Sequence, residues 1–390
     1  MPESSRTDRL RIVVLGYVVR AGMGGMAWHY LHYVLGLSLL GHDVHYIEDS
    51  GDDTWCCYDA ERDVTDSDAS YGLAFMGRCA ERLGIGERWA YYDAHGGGWA
   101  GPNADHAVST CRDADVVVNV SGANVLRGWF DGVDRKVLVD TDPAFTQVRN
   151  LVDPAFRERT EMHDVFVTFG ESIGLDDCRI PDDGFDWRPT RQPVVLDAWP
   201  HGPPPAGAAF TTVMQWRTKN AQTYSGTRYG TKEDSFAPFR DLPGSVDQTL
   251  ELALGGKDAP RDRLRASGWR IRDPRGVAAD PWRYQRYLLG SRAELSIAKH
   301  GYVASGSGWF SERSACYLAA GRPVVAHDTG FGAHLPTGCG LLAFGSPEEA
   351  AESIRSVDSD YDRHSTAARA IAAERFAHER VLGELLDHVS

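Results

Sequence analysis

The sequence predicts an α/β protein built from two doubly wound halves. Three observations carry this. Short apolar runs alternate with helical patterns along the chain, as parallel strands and their crossover helices do. Residues 197–207 (DAWPHGPPPAG) hold four prolines and two glycines in eleven positions and read as a linker. Residues 305–332 (SGSGWFSERSACYLAAGRPVVAHDTGFG) give a small-residue loop, a helix and a buried strand in succession. A length of 390 residues suits two domains.

The first half opens on the apolar run 11–19 (RIVVLGYVV), a strand of a parallel sheet. Glycines at 22, 24 and 25 follow. A helix is expected over 26–40, with Leu31, Val34, Leu35 and Leu39 on one face and Gly41 as its stop. Residues 43–48 (DVHYIE) give a second strand, completing a βαβ unit whose turn lacks a GxGxxG fingerprint. A helix over 70–90 and a Gly-rich loop over 91–107 come next. Further strands are expected at 115–120, 136–139 and 165–169. Ligands of such sheets gather at the carboxyl ends of the strands, where Ser121, Asp140, Asp142 and Glu171 fall.

The second half restarts with a strand at 210–216. A polar loop at 224–232 and a short helix at 235–242 follow, then a strand at 250–254. A helix and strand edge are expected over 261–272, an aromatic helix over 281–289 and a strand over 294–298. In the 305–332 stretch, Ser311 is the expected N-cap of a helix over 310–320, Gly321 its stop, and 324–326 the next strand. A glycine loop feeding a helix N-terminus is an anion site, because free N–H groups and the helix dipole both favour negative charge. Arg313, one turn in, is expected to add a contact to phosphate. Helices at 347–356 and 365–388 end the chain.

Composition narrows the partners. A net charge of −14 argues against nucleic acid and anionic membrane as bulk partners. The seven cysteines are scattered, with no CxxC pair, and fit a reducing cytoplasm. The N-terminus MPESSRTDRL is polar and does not read as a signal peptide, and no apolar run approaches the ~20 residues of a membrane span.

Several stretches together resemble the GT-B glycosyltransferases, the group often called family 1/family 4-like. Gly24-Gly25 lie 17 residues before Gly41-His42, similar to the GG…GH spacing at the start of that family. The run WFSERSACYLAAGRPVVAHDTGF (309–331) is similar to the donor-site segment of a bacterial subgroup, and GDDTWCCYD (51–59) and DTDPAFTQ (140–147) resemble it too. The resemblance implies a GT-B fold, two Rossmann-like domains facing a cleft. Residues 1–200 would bind acceptor and 208–365 the donor, with the helix 366–390 returning towards the first domain. It implies a metal-independent transferase using a UDP-, TDP- or GDP-sugar as co-substrate, with no further cofactor. The acceptor would be a soluble small molecule of bacterial natural-product or cell-surface biosynthesis.

Carried over by position, Ser307, Gly308, Ser311 and Arg313 would hold the donor diphosphate, helped by Lys232, with Arg217 second; Lys299, which ends a strand at the same cleft, is a weaker candidate. The family often carries two glutamates eight residues apart. Here Gly308 and Cys316 stand at those positions, and Glu312 would take over the ribose hydroxyls. Asp328 and Thr329 fall where the sugar ring is read, and Gly24-Gly25 would close over the donor. An inverting transfer needs a base near the acceptor hydroxyl, for which Asp142, His29 and His163 are the candidates. Each has a plain alternative: Asp142-Pro143 reads as a turn, His29 as a structural histidine beside Trp28, and His163 as a helix stop. The rival readings are an epimerase or phosphorylase on the same fold, a non-catalytic nucleotide-sugar-binding protein, and an NAD-dependent oxidoreductase.

Overall fold

Strands apolar on both faces belong at the centre of a parallel sheet. RIVVL (β1, Arg11–Leu15) and VVVNV (β5, Val116–Val120) are such strands: Ile12, Val13, Val14, Val116 and Val117 are fully buried. The computed structural model of the chain describes residues 9–218 and 220–389; the polar segment 1–8 lies outside them. Around that pair, β2 (Asp43–Asp49), β3 (Trp89–Asp93), β4 (Gly98–Ala100), β6 (Lys136–Asp140), β7 (Val165–Thr168) and β8 (Trp187–Pro189) complete an eight-stranded sheet. Its order is β8-β7-β6-β5-β1-β2-β3-β4, parallel except for β3 with β4.

The second sheet holds β9 (Phe210–Gln215), β10 (Leu250–Gly255), β11 (Arg270–Arg272), β12 (Ala293–Ser296), β13 (Val324–His327) and β14 (Leu341–Phe344). Its order is β11-β10-β9-β12-β13-β14, parallel throughout. Apart from the edge strands β4 and β8, both sheets run in the Rossmann order 3-2-1-4-5-6. Each therefore has a switch point where strand order reverses: β1/β5 in the first, β9/β12 in the second.

The helices that position the site are α1 (Gly24–Leu39), α2 (Phe145–Val152), α3 (Lys232–Phe236), α4 (Pro281–Leu289), α5 (His300–Ser305), α6 (Glu312–Ala319), α7 (Tyr361–Arg375) and α8 (His378–Asp387). Four expectations need correction. Residues 91–107 are not a plain loop, because the aromatic run Trp89–Asp93 pairs with β2 and the glycines after it turn the chain into β4. The loop at 224–232 is partly a hairpin, Gln222–Tyr224 with Thr227–Tyr229, turned at Ser225 and Gly226, both at positive φ. Residues 341–344 add an edge strand, β14, beyond the expected set. The terminal helix is two helices, broken where Phe376 O accepts from Val194 N and Val194 O accepts from His378 N. The connector between the halves thus lies beside the point where the chain crosses back.

The last helix, α8, packs on the first half: Leu382 and Leu385 share a core with Val34 and Leu37 of α1. The halves also touch across the cleft. Gly24 lies so close to α4 that a Cβ there would stand 2.3 Å from Asp280 O, and Trp28 Nε1 donates to Pro281 O at 2.8 Å. Gly308, at φ +73, would drive a Cβ to 2.6 Å from Ser172 Oγ of the first half.

Candidate functional site

The second switch point assembles around the start of α6. Ser311 caps the helix, its Oγ accepting from Arg313 N at 3.2 Å. The other first-turn amides have no intrahelical acceptor, and the dipole adds positive potential there. Ser307 is buried, its Oγ accepting from Trp309 N, and the Gly308 amide donates to Thr329 O at 2.7 Å. Across the end of β9 stands Lys232, the first residue of α3. It is partly buried and makes no hydrogen bond or ion pair among the described residues. Burial, then the nearby Arg313 charge, push its pKa down to about 7. A lysine held in this way gains strongly from an arriving anion.

Arg313 does not reach toward a phosphate. Its Nε lies 2.5 Å from Glu294 Oε1, Nη1 2.9 Å from Val213 O and Nη2 3.0 Å from Ser296 Oγ. The reason is helical geometry: this position of α6 faces the sheet, so the guanidinium turns under it to neutralise the fully buried Glu294. Arg217 is likewise spent, in a bidentate pair with Glu233 at 2.7 and 2.9 Å on the surface. Asp328 closes its own turn onto Gly330 N, and Thr329 Oγ1 donates to Trp309 O; both shape the loop. Glu312 lines a narrow gap between the halves with Gly25, Trp28, His29, Gln192 and Cys316, and its side chain accepts from Ser311 Oγ at 3.4 Å.

Asp142 is not a free base. Lys299 Nζ lies 2.7 Å from its Oδ1, Tyr302 OH donates to the same oxygen, and Asn220 Nδ2 donates to Oδ2 at 2.7 Å. With Trp309 Nε1 donating to Thr141 O, this forms a clasp between the halves, and Lys299 is spent in it. His163 is also occupied. Asn119 Nδ2 lies 3.1 Å from its Nε2 and Thr160 O 3.1 Å from its Nδ1, while burial pushes its pKa down to about 4.

His29 stands differently, at the cleft face of α1. Gln192 Nε2 is within 3.2 Å of His29 O and 3.1 Å of Pro193 O, both acceptors, which turns Gln192 Oε1 toward His29 Nδ1 at 2.8 Å. Nδ1 therefore carries the proton and Nε2 presents a lone pair. Burial lowers the histidine's pKa, keeping the ring neutral, while Glu312 across the gap pulls the other way.

The first switch point is closed to phosphate from within. Fully buried Glu48, at the end of β2, accepts from the amides of Val18, Val19 and Arg20 at 2.6, 2.8 and 2.7 Å and from Tyr46 OH. These are the amides a dinucleotide's phosphates would need, so the oxidoreductase reading loses its site. Beside this turn a cavity of about 320 Å³ opens, walled by Tyr17, Trp55, Phe156, Arg149, Arg159 and the 122–126 loop.

Glu48, Gln192, Glu294, Asn220 and Tyr302 were missed in the sequence. Glu48 carried a usable signal, an acid ending the second strand of a Rossmann-like half. Gln192 and Asn220 gave none, since their partners lie 163 and 78 residues away. No helix among the described residues is long and apolar enough to cross a membrane, and none of their His, Cys, Asp and Glu side chains form a group of three or more that could hold a metal ion.

No family model matches the chain, and no curated protein sequence does. Solved structures match over nearly its whole length. An alpha-glucosyltransferase in complex with UDP gives a TM-score of 0.60 at 11% identity, covering 97% of this chain and 99% of that one. AviGT4, a glycosyltransferase involved in avilamycin A biosynthesis, gives 0.52 at 13%, covering 97% of each. Anabaena HepE, in complex with UDP and glucose, gives 0.54 at 12%, covering 97% and 99%. The chain has the GT-B fold, as the resemblance implied. The exclusion of nucleic acid as a partner is overturned. An alpha-glucosyltransferase is also solved with UDP and a 13-mer DNA containing an HMU base, at TM-score 0.57 and 12% identity over 98% of this chain and 99% of that one. Net charge belongs to the whole surface and does not decide what one cleft admits.

Proposed function

We propose that this chain is a glycosyltransferase that moves a sugar from a nucleoside diphosphate to an acceptor hydroxyl. The second half holds the diphosphate between Lys232 and the first turn of α6, and the first half receives the acceptor in the cavity beside Trp55. One observation carries the reading: Lys232 is a partly buried lysine at a switch point, with Glu294 and Glu312 near enough to be felt but no hydrogen bond or ion pair among the described residues. The departing diphosphate is stabilised by that charge and by the α6 dipole. His29, neutral with its Nε2 lone pair facing Ser121, ends up holding the acceptor's proton. Glu312, which lines the same gap as His29, accepts from the ribose hydroxyls in this reading. The fold neighbours solved with UDP make UDP the first nucleotide to test and UDP-glucose the first donor.

Calorimetric titration of UDP into the wild type and into Lys232→Met tests this. The charge-assisted contact is worth about 1.5–3 kcal/mol, so the variant binds roughly 10- to 150-fold more weakly. Equal affinity in both proteins removes Lys232 from the site, and with it the reading.

A further inference from the structure

Ser121 follows β5 at the first switch point, and its backbone is unusual. It sits at φ +62, where a residue with a Cβ is strained, and Gly122 beside it has φ +56. A glycine would occupy position 121 without strain, so the hydroxyl is what the serine adds. The side chain is exposed at the cleft, whereas His29 is buried. Ser121 Oγ lies 3.3 Å from His29 Nε2 and 2.8 Å from Thr141 Oγ1. Because Gln192 holds the ring proton on Nδ1, Nε2 can only accept, so Ser121 donates to it. Thr141 in turn donates to Ser121. A substrate hydroxyl cannot touch Nε2 without displacing Ser121, but it can reach Ser121 Oγ from the cleft or from the cavity that Gly122 lines.

We propose that Ser121 is a catalytic residue that conducts the acceptor's proton to His29. The acceptor O–H gives its proton to Ser121 Oγ as Ser121 gives its own to His29 Nε2. The acceptor oxygen bonds to the anomeric carbon while the bond from that carbon to the diphosphate oxygen breaks. The electron pair leaves with the diphosphate, the proton remains on the imidazole, and Ser121 ends as it began. This rests on the assignment of His29 as base.

The test uses full-length protein with UDP-glucose as donor and water as acceptor, reading UDP release. It also uses 15N-histidine NMR to read the His29 tautomer. Ser121→Gly removes the hydroxyl and suits the positive φ, so it keeps the fold. It should bind UDP like the wild type, retain the Nδ1–H tautomer and KM, and lose about 10²- to 10⁴-fold in kcat. The wild-type rate plotted against deuterium content should bow, as two protons move together, and become linear in Ser121→Gly. An Nε2–H tautomer in the wild type overturns the relay. Full kcat in Ser121→Gly, with kcat lost in His29→Gln, overturns the relay and keeps His29 as base. Full kcat in His29→Gln overturns the assignment of the base itself.

Discussion

The two halves share one strand order and treat the turn after their first strand in opposite ways. In the first half, three amides of that turn close on the internal carboxylate of Glu48. In the second, the equivalent connection ends on Lys232, a cation without a partner among the described residues. Topology fixes where a ligand can approach, and a single buried charge decides whether an anion is already there. The same frame thus makes one half a closed scaffold and leaves the other open to phosphate, although both turns lie at a switch point.

The largest expected effect separates two cations beside the start of α6, Arg313 and Lys232. Arg313 neutralises Glu294, which is fully buried and has one oxygen without a partner among the described residues. Arg313→Ala should cost about 3–5 kcal/mol of stability, the penalty for stranding a buried charge. Chemical denaturation measures it. Lys232→Met should cost no stability, because it removes a desolvated charge. If Arg313→Ala unfolds normally yet binds UDP poorly, the two lysine and arginine roles are reversed and the contrast between the halves fails.

The clasp between the halves comes next. Asp142→Ala frees Lys299, Tyr302 and Asn220 together and should cost about 1–3 kcal/mol. X-ray scattering should show a larger radius of gyration, with UDP affinity little changed. An unchanged radius together with lost turnover would return Asp142 to the chemistry.

Most of the frame was legible in the sequence, because parallel strands buried on both faces appear as unbroken apolar runs such as 11–15, 116–120 and 324–326. Short strands beside glycines were not, since β3 owes its place to pairing with β2, and β4 to pairing with β3, rather than to local pattern. The site was legible as a place. Ser311 caps the helix it was expected to cap, and Lys232 begins a helix beside the end of β9, as the sequence suggested. Roles were harder, because a charge near a loop looks the same whether it faces solvent, as Arg217 does, or a buried carboxylate, as Arg313 does. Asp142 read equally as turn or base because its three donors come from 78 to 160 residues away.

The smallest effect is a proton. An unfolded lysine titrates near 10.4 and Lys232 in the folded chain near 7, because burial disfavours its charge. Below pH 7 both states hold the proton. Between about pH 7 and 10 the unfolded chain holds more, so this group makes stability rise with pH across that window. A bound diphosphate opposes the shift by adding negative charge in direct contact, and raises the folded pKa again. At pH 8, where free Lys232 is mostly neutral, UDP binding should therefore take up close to one proton, and at pH 6 almost none from this group. Titrations at pH 8 in two buffers of different ionisation enthalpy count that proton, and Lys232→Met should lose it. Uptake that persists in the variant would place the titrating group elsewhere in the cleft and leave Lys232 as neutral as Glu48 leaves the turn of the first half.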